Sequence, residues 1–284
     1  MKRPGPAGIN TVLFLLFAFG TSAGCGLFDL PETEDTPAYP WTVVTPESQG
    51  VDPDLLSQAF QAGGNLDYLR SLLVARNGFL VGERYYRGTD MGDPRQLRSA
   101  TKSITSILVG IARRQGRLLD LEQPILDFFP EYDSVQLDAR MAQVTIRHLL
   151  MMTSGIASDW EDALPGAQYN LVDAILRLPL SSSPGAEFRY SSLGSHLLSV
   201  VLQRAIGIPL KTFAWNNFCQ PLGISIPEWA TDRQGNPFGG SGMSLLPRDM
   251  ARIGQLYLGG GMVDEVRIVD ESWVAASLEV QVGG

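Results

Sequence analysis

RSATKSITSILVGIARRQG, residues 98–116, is the stretch on which the reading of this chain turns. Only three lysines occur in the 284 residues, and Lys102 stands three positions after Ser99 at the head of an otherwise apolar helix. Ile104, Leu108 and Ile111 recur at helical spacing, and Gly116 is a natural stop. Residues three apart share a helix face, so the spacing predicts the Ser99 hydroxyl and the Lys102 amine within hydrogen-bond reach. A helix start supplies unpaired N–H groups and a partial positive charge, which favour an oxyanion forming at or near Ser99. Apolar surroundings disfavour an ammonium, so this reading expects a Lys102 amine able to take the serine proton. Ser99 is the candidate nucleophile and Lys102 its candidate base. A serine-x-x-lysine tetrad by itself is a weak pattern, because a lysine near a helix start is usually just solvated. Here it is the sole such tetrad in the chain, and the run after it is one that buries a face.

Composition bounds what such a site can serve. With 44% hydrophobic residues the chain can close one large core or two lobes sharing a cleft. A net charge of -8 without any Lys/Arg cluster argues against nucleic acid and favours a small-molecule partner. Lys2 and Arg3, the apolar run TVLFLLFAFG (11–20) and the small residues TSAGC (21–25) read as a targeting segment. That run is shorter than the ~20 residues that span a bilayer. SAGC (22–25) resembles a bacterial lipobox in which Cys25 is lipidated, with Ser22 where leucine is usual. A plain secretory signal and an uncleaved anchor stay open beside it. The expected organisation is a signal peptide over 1–24, an acidic, proline-rich tether over 25–43 and one domain over 44–284. Its expected location is the bacterial cell envelope, periplasmic or extracellular, with membrane contact only through a lipid on Cys25. Cys219 is then alone, a small buried hydrophobe with no disulfide.

Asn77-Gly78 within SLLVARNGFLVGERYY (71–86) signals a β-hairpin, which needs a larger sheet to be stable. After Arg98 the pattern turns helical, with further helices expected over 145–152 capped by Thr145, 169–178, 194–206, 209–219 and 247–258. SSSPGAEF (181–188) and DRQGNPFGGSG (232–242) read as loops. A hairpin followed mostly by helices predicts an α+β architecture with an incomplete sheet. Tyr190, just ahead of the leucine-rich helix, has a plausible acid/base role if its phenol reaches Lys102; a buried tyrosine with a satisfied hydroxyl is the plainer alternative. His148 and His196 have no metal-ligand spacing and read as structural. GTSAG (20–24) fits a nucleophile-elbow pattern by chance, since no strand precedes it. The glycines at 239, 240 and 242 and at 259–261 do not follow a strand as a phosphate loop does.

SATKSITSILVGIA, TIRHLLMMTSGI, PGAEFRYSSLGSHLL, CQPLGI and GGSGMSLLPRDMARIGQLYLGGG, in that order, resemble the β-lactamase-related serine hydrolases over about residues 45–284. That superfamily holds class C β-lactamases, D-alanyl-D-alanine carboxypeptidases, family VIII esterases and 6-aminohexanoate-dimer hydrolases. The resemblance implies a β-lactamase/transpeptidase-like fold, an α/β sandwich beside an all-helical lobe with the site between them. It implies Ser99 as acyl-enzyme nucleophile, Lys102 as its base and Tyr190 as the tyrosine of a Y-x-N or Y-x-S element, with no metal or cofactor. Ser192 falls where many relatives carry asparagine, and Trp160 and Tyr169 lie on a segment that lines the pocket in relatives, although packing of the helical lobe explains them equally well. The third family motif, K-T-G or H-x-G, does not follow Tyr190 here, so the chain reads as lacking its C-terminal core strands and one oxyanion donor, a loss of ~10²–10³ in rate. The expected activity is hydrolysis of an ester, amide or β-lactam through an acyl-enzyme, with esters and linear amides preferred because Y-S-S departs from Y-x-N. The competing expectation is a non-catalytic envelope protein that binds cell-wall peptide, or an inactive fragment.

Overall fold

Asn77 and Gly78 take φ angles of 52° and 84°, the left-handed pair that a two-residue turn between right-twisted strands requires. In the computed structural model, which describes residues 12–17, 40–118, 120–132, 137–157 and 170–281, this turn joins two strands of a three-stranded antiparallel sheet. The strands are β1 (Val12–Phe17), β2 (Leu69–Arg76) and β3 (Phe79–Tyr85), in the order β1-β2-β3. The hairpin runs from Arg76 opposite Phe79 to Ser71 opposite Tyr85, with a bulge between Val74 and Ala75. The edge of β2 is paired with Val12–Phe17, part of the run read as a targeting segment, so a strand does precede GTSAG (20–24), a motif that itself lies outside the described residues. Cys25 lies outside the described residues.

Both faces of the hairpin are covered. On one, Val74 and Val81 pack with Leu56 of α1 (Pro53–Gly64), a helix capped by Asp52, whose side chain accepts from the Asp54 and Leu55 N–H groups. The sequence reading did not pick out α1, whose buried residues are only Leu56 and Gly63. On the other face, Leu73 and Leu80 pack with Trp41 and with Ala251 of a late helix. Helices follow in sequence as α2 (Thr101–Arg114), α3 (Ile146–Leu150), α4 (Leu171–Leu176), α5 (Ser192–Ile206), α6 (Leu210–Ala214), α7 (Gln220–Leu222), α8 (Pro247–Leu258) and α9 (Glu271–Leu278). Short strands β4 (Arg95–Gln96), β5 (Glu228–Trp229) and β6 (Met243–Leu245) form a second sheet in the order β4-β6-β5. The α+β reading, a helical lobe beside a layered sheet, is the architecture found.

Most expected helices lie inside their expected bounds. Thr145 caps α3 through a reciprocal pair of bonds with His148, which gives that histidine a structural role. The helix expected over 209–219 instead ends at Ala214 and passes through a wide π-type turn, Trp215–Cys219, into α7. Ile104, Ile107, Leu108 and Ile111 of α2 are buried in one core with Leu197, Val200 and Val201 of α5. This packing brings the first turns of the two helices together, with the segment 239–240 beside both.

The helix α8 is fastened to the sheet at its start. Arg248 donates from Nη2 and Nε to the Glu83 carboxylate of β3 at 2.5 and 3.0 Å, and Trp41 Nε1 donates to the Arg248 carbonyl at 3.2 Å. The next residue, Asp249, is 4% exposed. Burial pushes its carboxyl up from 3.8 to about 6, although one oxygen accepts from the Ser225 N–H. A raised folded-state pKa means that the proton binds more tightly in the folded chain. The contribution is therefore full below pH 3.8 and is lost as pH rises through about 6. Asp249→Asn, which keeps an acceptor for Ser225, is expected to stabilise the fold near pH 8 by up to about 3 kcal/mol, read as a higher Tm, and to change stability little near pH 4. Thermal melts of the two proteins across that range check the sign.

Candidate active site

Ser99 sits in a single 3-10 turn, Arg98–Ala100, that leads directly into α2. Arg98 holds a φ of 50°, a left-handed conformation that costs a residue with a Cβ about 1–3 kcal/mol and that here fixes the approach to the serine. The turn is tied to the small sheet by the Leu97 N–H, which donates to the Met243 carbonyl at 2.8 Å. Ser99 itself is exposed.

Tyr190 reaches the serine from the segment entering α5: its Oη lies 2.7 Å from Ser99 Oγ. The following residue, Ser191, is the N-cap of α5. Its Oγ accepts from Gly194 N–H at 2.9 Å and donates to the Ala157 carbonyl at 3.0 Å, which anchors the segment that carries Tyr190. Lys102 Nζ donates to the Gly240 carbonyl at 2.7 Å, to Ser192 Oγ at 3.2 Å and, over a longer contact, to Ser99 Oγ at 3.4 Å. It also lies 4.8 Å from the centre of the Tyr190 ring. The expected pairing of Ser99, Lys102, Tyr190 and Ser192 in one place is the arrangement found. The expected apolar surroundings of the amine are not: three oxygens face it, because the Gly239-Gly240 backbone comes in where the sequence reading had only a loop.

That approach requires glycine. A Cβ on Gly239 would lie 2.1 Å from the Ser195 carbonyl oxygen, and one on Gly240 would lie 3.0 Å from the Ser192 carbonyl oxygen and 3.3 Å from Lys102 Nζ. Thr105, one turn along α2, donates from Oγ1 to the Gly239 carbonyl at 2.9 Å and holds the segment in place. The paired glycines were the available sequence signal for this acceptor; they were weighed only as a phosphate loop.

Electrostatics single out the phenol. Burial of Tyr190 opposes its ionisation, but hydrogen bonds with Lys102, Ser99 and Ser192 and the Lys102 charge outweigh it, so the phenol titrates below its ordinary 10.0. By contrast, Tyr85, Tyr86, Tyr132 and Tyr257 are all pushed upward, chiefly by burial. Among the described residues no group of three or more His, Cys, Asp or Glu is arranged to hold a metal ion. Trp160 and Tyr169 lie outside the described residues.

A profile described as Beta-lactamase matches residues 70–278. The chain belongs to that family. Among curated relatives, 6-aminohexanoate-dimer hydrolase of Paenarthrobacter ureafaciens is 26% identical over 226 residues, 73% of this chain and 56% of that protein. Monacolin J acid methylbutanoyltransferase of Aspergillus terreus is 27% identical over 205 residues, 61% of this chain and 46% of that protein. The chain thus spans about half the length of these relatives. A penicillin-binding protein homologue from Caulobacter crescentus shares the fold, with a TM-score of 0.64 at 15% identity over 81% of this chain and 76% of its own. The chain thus has the β-lactamase/transpeptidase-like fold, and its relatives include a hydrolase and an acyltransferase.

The geometry yields a measurement that needs no substrate. An ultraviolet difference titration of the eight tyrosines is expected to show one early-ionising phenol. That component disappears in Tyr190→Phe and moves to higher pH in Lys102→Met, because the cation that favours the phenolate is gone. An unchanged early component in both variants assigns it to another residue.

Proposed function

We propose that this chain is a serine hydrolase that cleaves an ester or linear amide of a small molecule through an acyl-enzyme. The observation that carries the reading is the 2.7 Å contact between Tyr190 Oη and Ser99 Oγ, with Lys102 bonded to the Gly240 carbonyl beside them. Tyr190 oxygen takes the proton of Ser99 as Oγ attacks the substrate carbonyl carbon. The resulting oxyanion forms at the start of α2, where first-turn N–H groups and the helix dipole favour negative charge. The phenol then gives its proton to the leaving alcohol or amine as that bond breaks. Water repeats the sequence on the acyl-enzyme, losing its proton to Tyr190 and releasing the acid with Ser99 regenerated.

This assignment shifts the base from Lys102, the first choice on sequence, to Tyr190. Lys102 Nζ is 3.4 Å from the nucleophile and already committed to Gly240 and Ser192, whereas the phenol oxygen is closer and its ionisation is favoured. Lys102 then acts as the cation that holds the phenolate. Preference for an ester or linear amide over a β-lactam draws on Ser192, a hydroxyl without an amide's two-sided donor and acceptor geometry, and on the dimer hydrolase and the acyltransferase among the relatives. Export to the cell envelope through the residues before Cys25, with a lipid on that cysteine, belongs to the same proposal; cleavage there removes Val12–Phe17 and leaves the edge of β2 open in the mature chain.

Intact mass after exposure to a fluorophosphonate probe tests the reading, with Ser99→Ala in parallel. One adduct on the parent and none on the variant is the expected result, and Tyr190→Phe is expected to label ~10²–10⁴ times more slowly. No adduct on a parent that melts cooperatively overturns the enzyme reading and leaves the cell-wall-binding one.

A further inference from the structure

The carbonyls of residues 237–240, between β5 and β6, each meet a side chain from another part of the chain. The Pro237 oxygen lies 2.7 Å from Ser199 Oγ of α5. The Phe238 oxygen accepts from Trp229 Nε1 of β5 at 2.9 Å. The Gly239 oxygen accepts from Thr105 Oγ1 of α2 at 2.9 Å, and the Gly240 oxygen from Lys102 Nζ at 2.7 Å. Two of these residues are glycines, which have the most backbone freedom to lose and no side chain to pack, so the bonds to their carbonyls fix their path.

Thr105 stands in this row next to the acceptor of the cation. It is 1% exposed, and its hydroxyl has one proton for two oxygens, the Gly239 carbonyl at 2.9 Å and the Thr101 carbonyl at 3.3 Å. The Thr101 oxygen lies four residues back on the same helix, where the helical ladder already serves it, so the closer Gly239 oxygen takes the proton. A small, mostly apolar cavity bordered by Leu171, Ser192, Phe238 and Gly240 lies beside the segment. A Gly240 peptide that loses its neighbour's bond therefore has space to move into.

We propose that Thr105 is a positioning residue for Lys102: it holds the Gly239 peptide, and through it the Gly240 carbonyl, where that oxygen keeps the amine beside Tyr190. Both of its partners are backbone carbonyls, so it acts only through the chain path. Its effect on rate rests on the serine hydrolase reading above; its effect on the tyrosine does not. The direction follows from charge. When the carbonyl drifts, the ammonium loses one of its three oxygens and its hold beside the phenol, so the phenolate loses support. The other ionisable groups on the elements around the pair are Arg98 before α2, Glu187 and Arg189, bonded to each other ahead of α5, and His196 with Asp232. His196 Nε2 lies 3.1 Å from Asp232 Oδ2, and its Nδ1 is buried with no hydrogen-bond partner among the described residues. Thr105 bonds none of these groups.

Thr105→Val keeps the shape and removes the proton, whereas Thr105→Ser keeps the proton and removes a methyl. In the ultraviolet titration, the Tyr190 component is expected to move upward by about half a pH unit or more in Thr105→Val and to return near the parent in Thr105→Ser. Labelling of Ser99 by the fluorophosphonate probe is expected to slow about 10-fold or more in the valine variant and to recover in the serine one. Simple bracing of the fold gives another result: Tm falls in Thr105→Val while the tyrosine component stays in place, and that outcome overturns the proposal. A parent without an early tyrosine overturns it as well. If Thr105→Val does not melt cooperatively, Thr105→Cys, close in shape but a weaker donor, takes its place. A smaller upward shift is then expected, and no shift overturns the proposal. Failure of the hydrolase reading shows separately, as a parent that does not label although its tyrosine titrates early.

Discussion

The close passage of the Gly239-Gly240 backbone over the first turns of α5 is the constraint on which the site depends. At Gly239 there is no room for a Cβ against the Ser195 carbonyl, and the same passage delivers the Gly240 carbonyl to Lys102. Three carbonyl or hydroxyl oxygens around one amine define where its charge sits. From that point the remaining geometry follows: the cation lies under the Tyr190 ring, and the phenol oxygen meets the Ser99 hydroxyl.

Rigid support for this passage comes from both lobes. The apolar face of α2 packs against α5 in the shared core, while Thr105 on the same helix holds the Gly239 carbonyl. Beyond the glycines the chain becomes β6, which pairs with β4 immediately before the serine. Ser99, the Tyr190 segment and the lysine acceptor therefore hang on elements that are themselves paired or packed, which is the condition for holding side chains to a fraction of an ångström. The Arg248–Glu83 pair then fastens the helix after β6 to the hairpin, so the sheet and the site are parts of one connected structure.

Polar groups buried beside a cation have two ways to be satisfied: by the protein or by water. Ser192 faces Lys102 on one side and the small cavity on the other. Asp232 is committed to His196 and Asn236.

What the sequence determined by itself was local. Asn77-Gly78 specified a hairpin because both positions need a positive φ, and the spacing of Ile104, Leu108 and Ile111 specified a helix with Ser99 and Lys102 on one side. The Tyr190-Ser191-Ser192 run, placed before an apolar helix, identified a second site element, and Ser191 proves to be its cap. Tertiary structure alone decided the chemistry of the amine. Periodicity reports which face of α2 is buried, but the groups that meet Lys102 come from residues 90 and 138 positions away, and a carbonyl acceptor leaves no trace in side-chain pattern. The same holds for His196: its pairing with Asp232, 36 residues distant, and its unpartnered nitrogen exist only because the loop of residues 232–242 folds back onto α5.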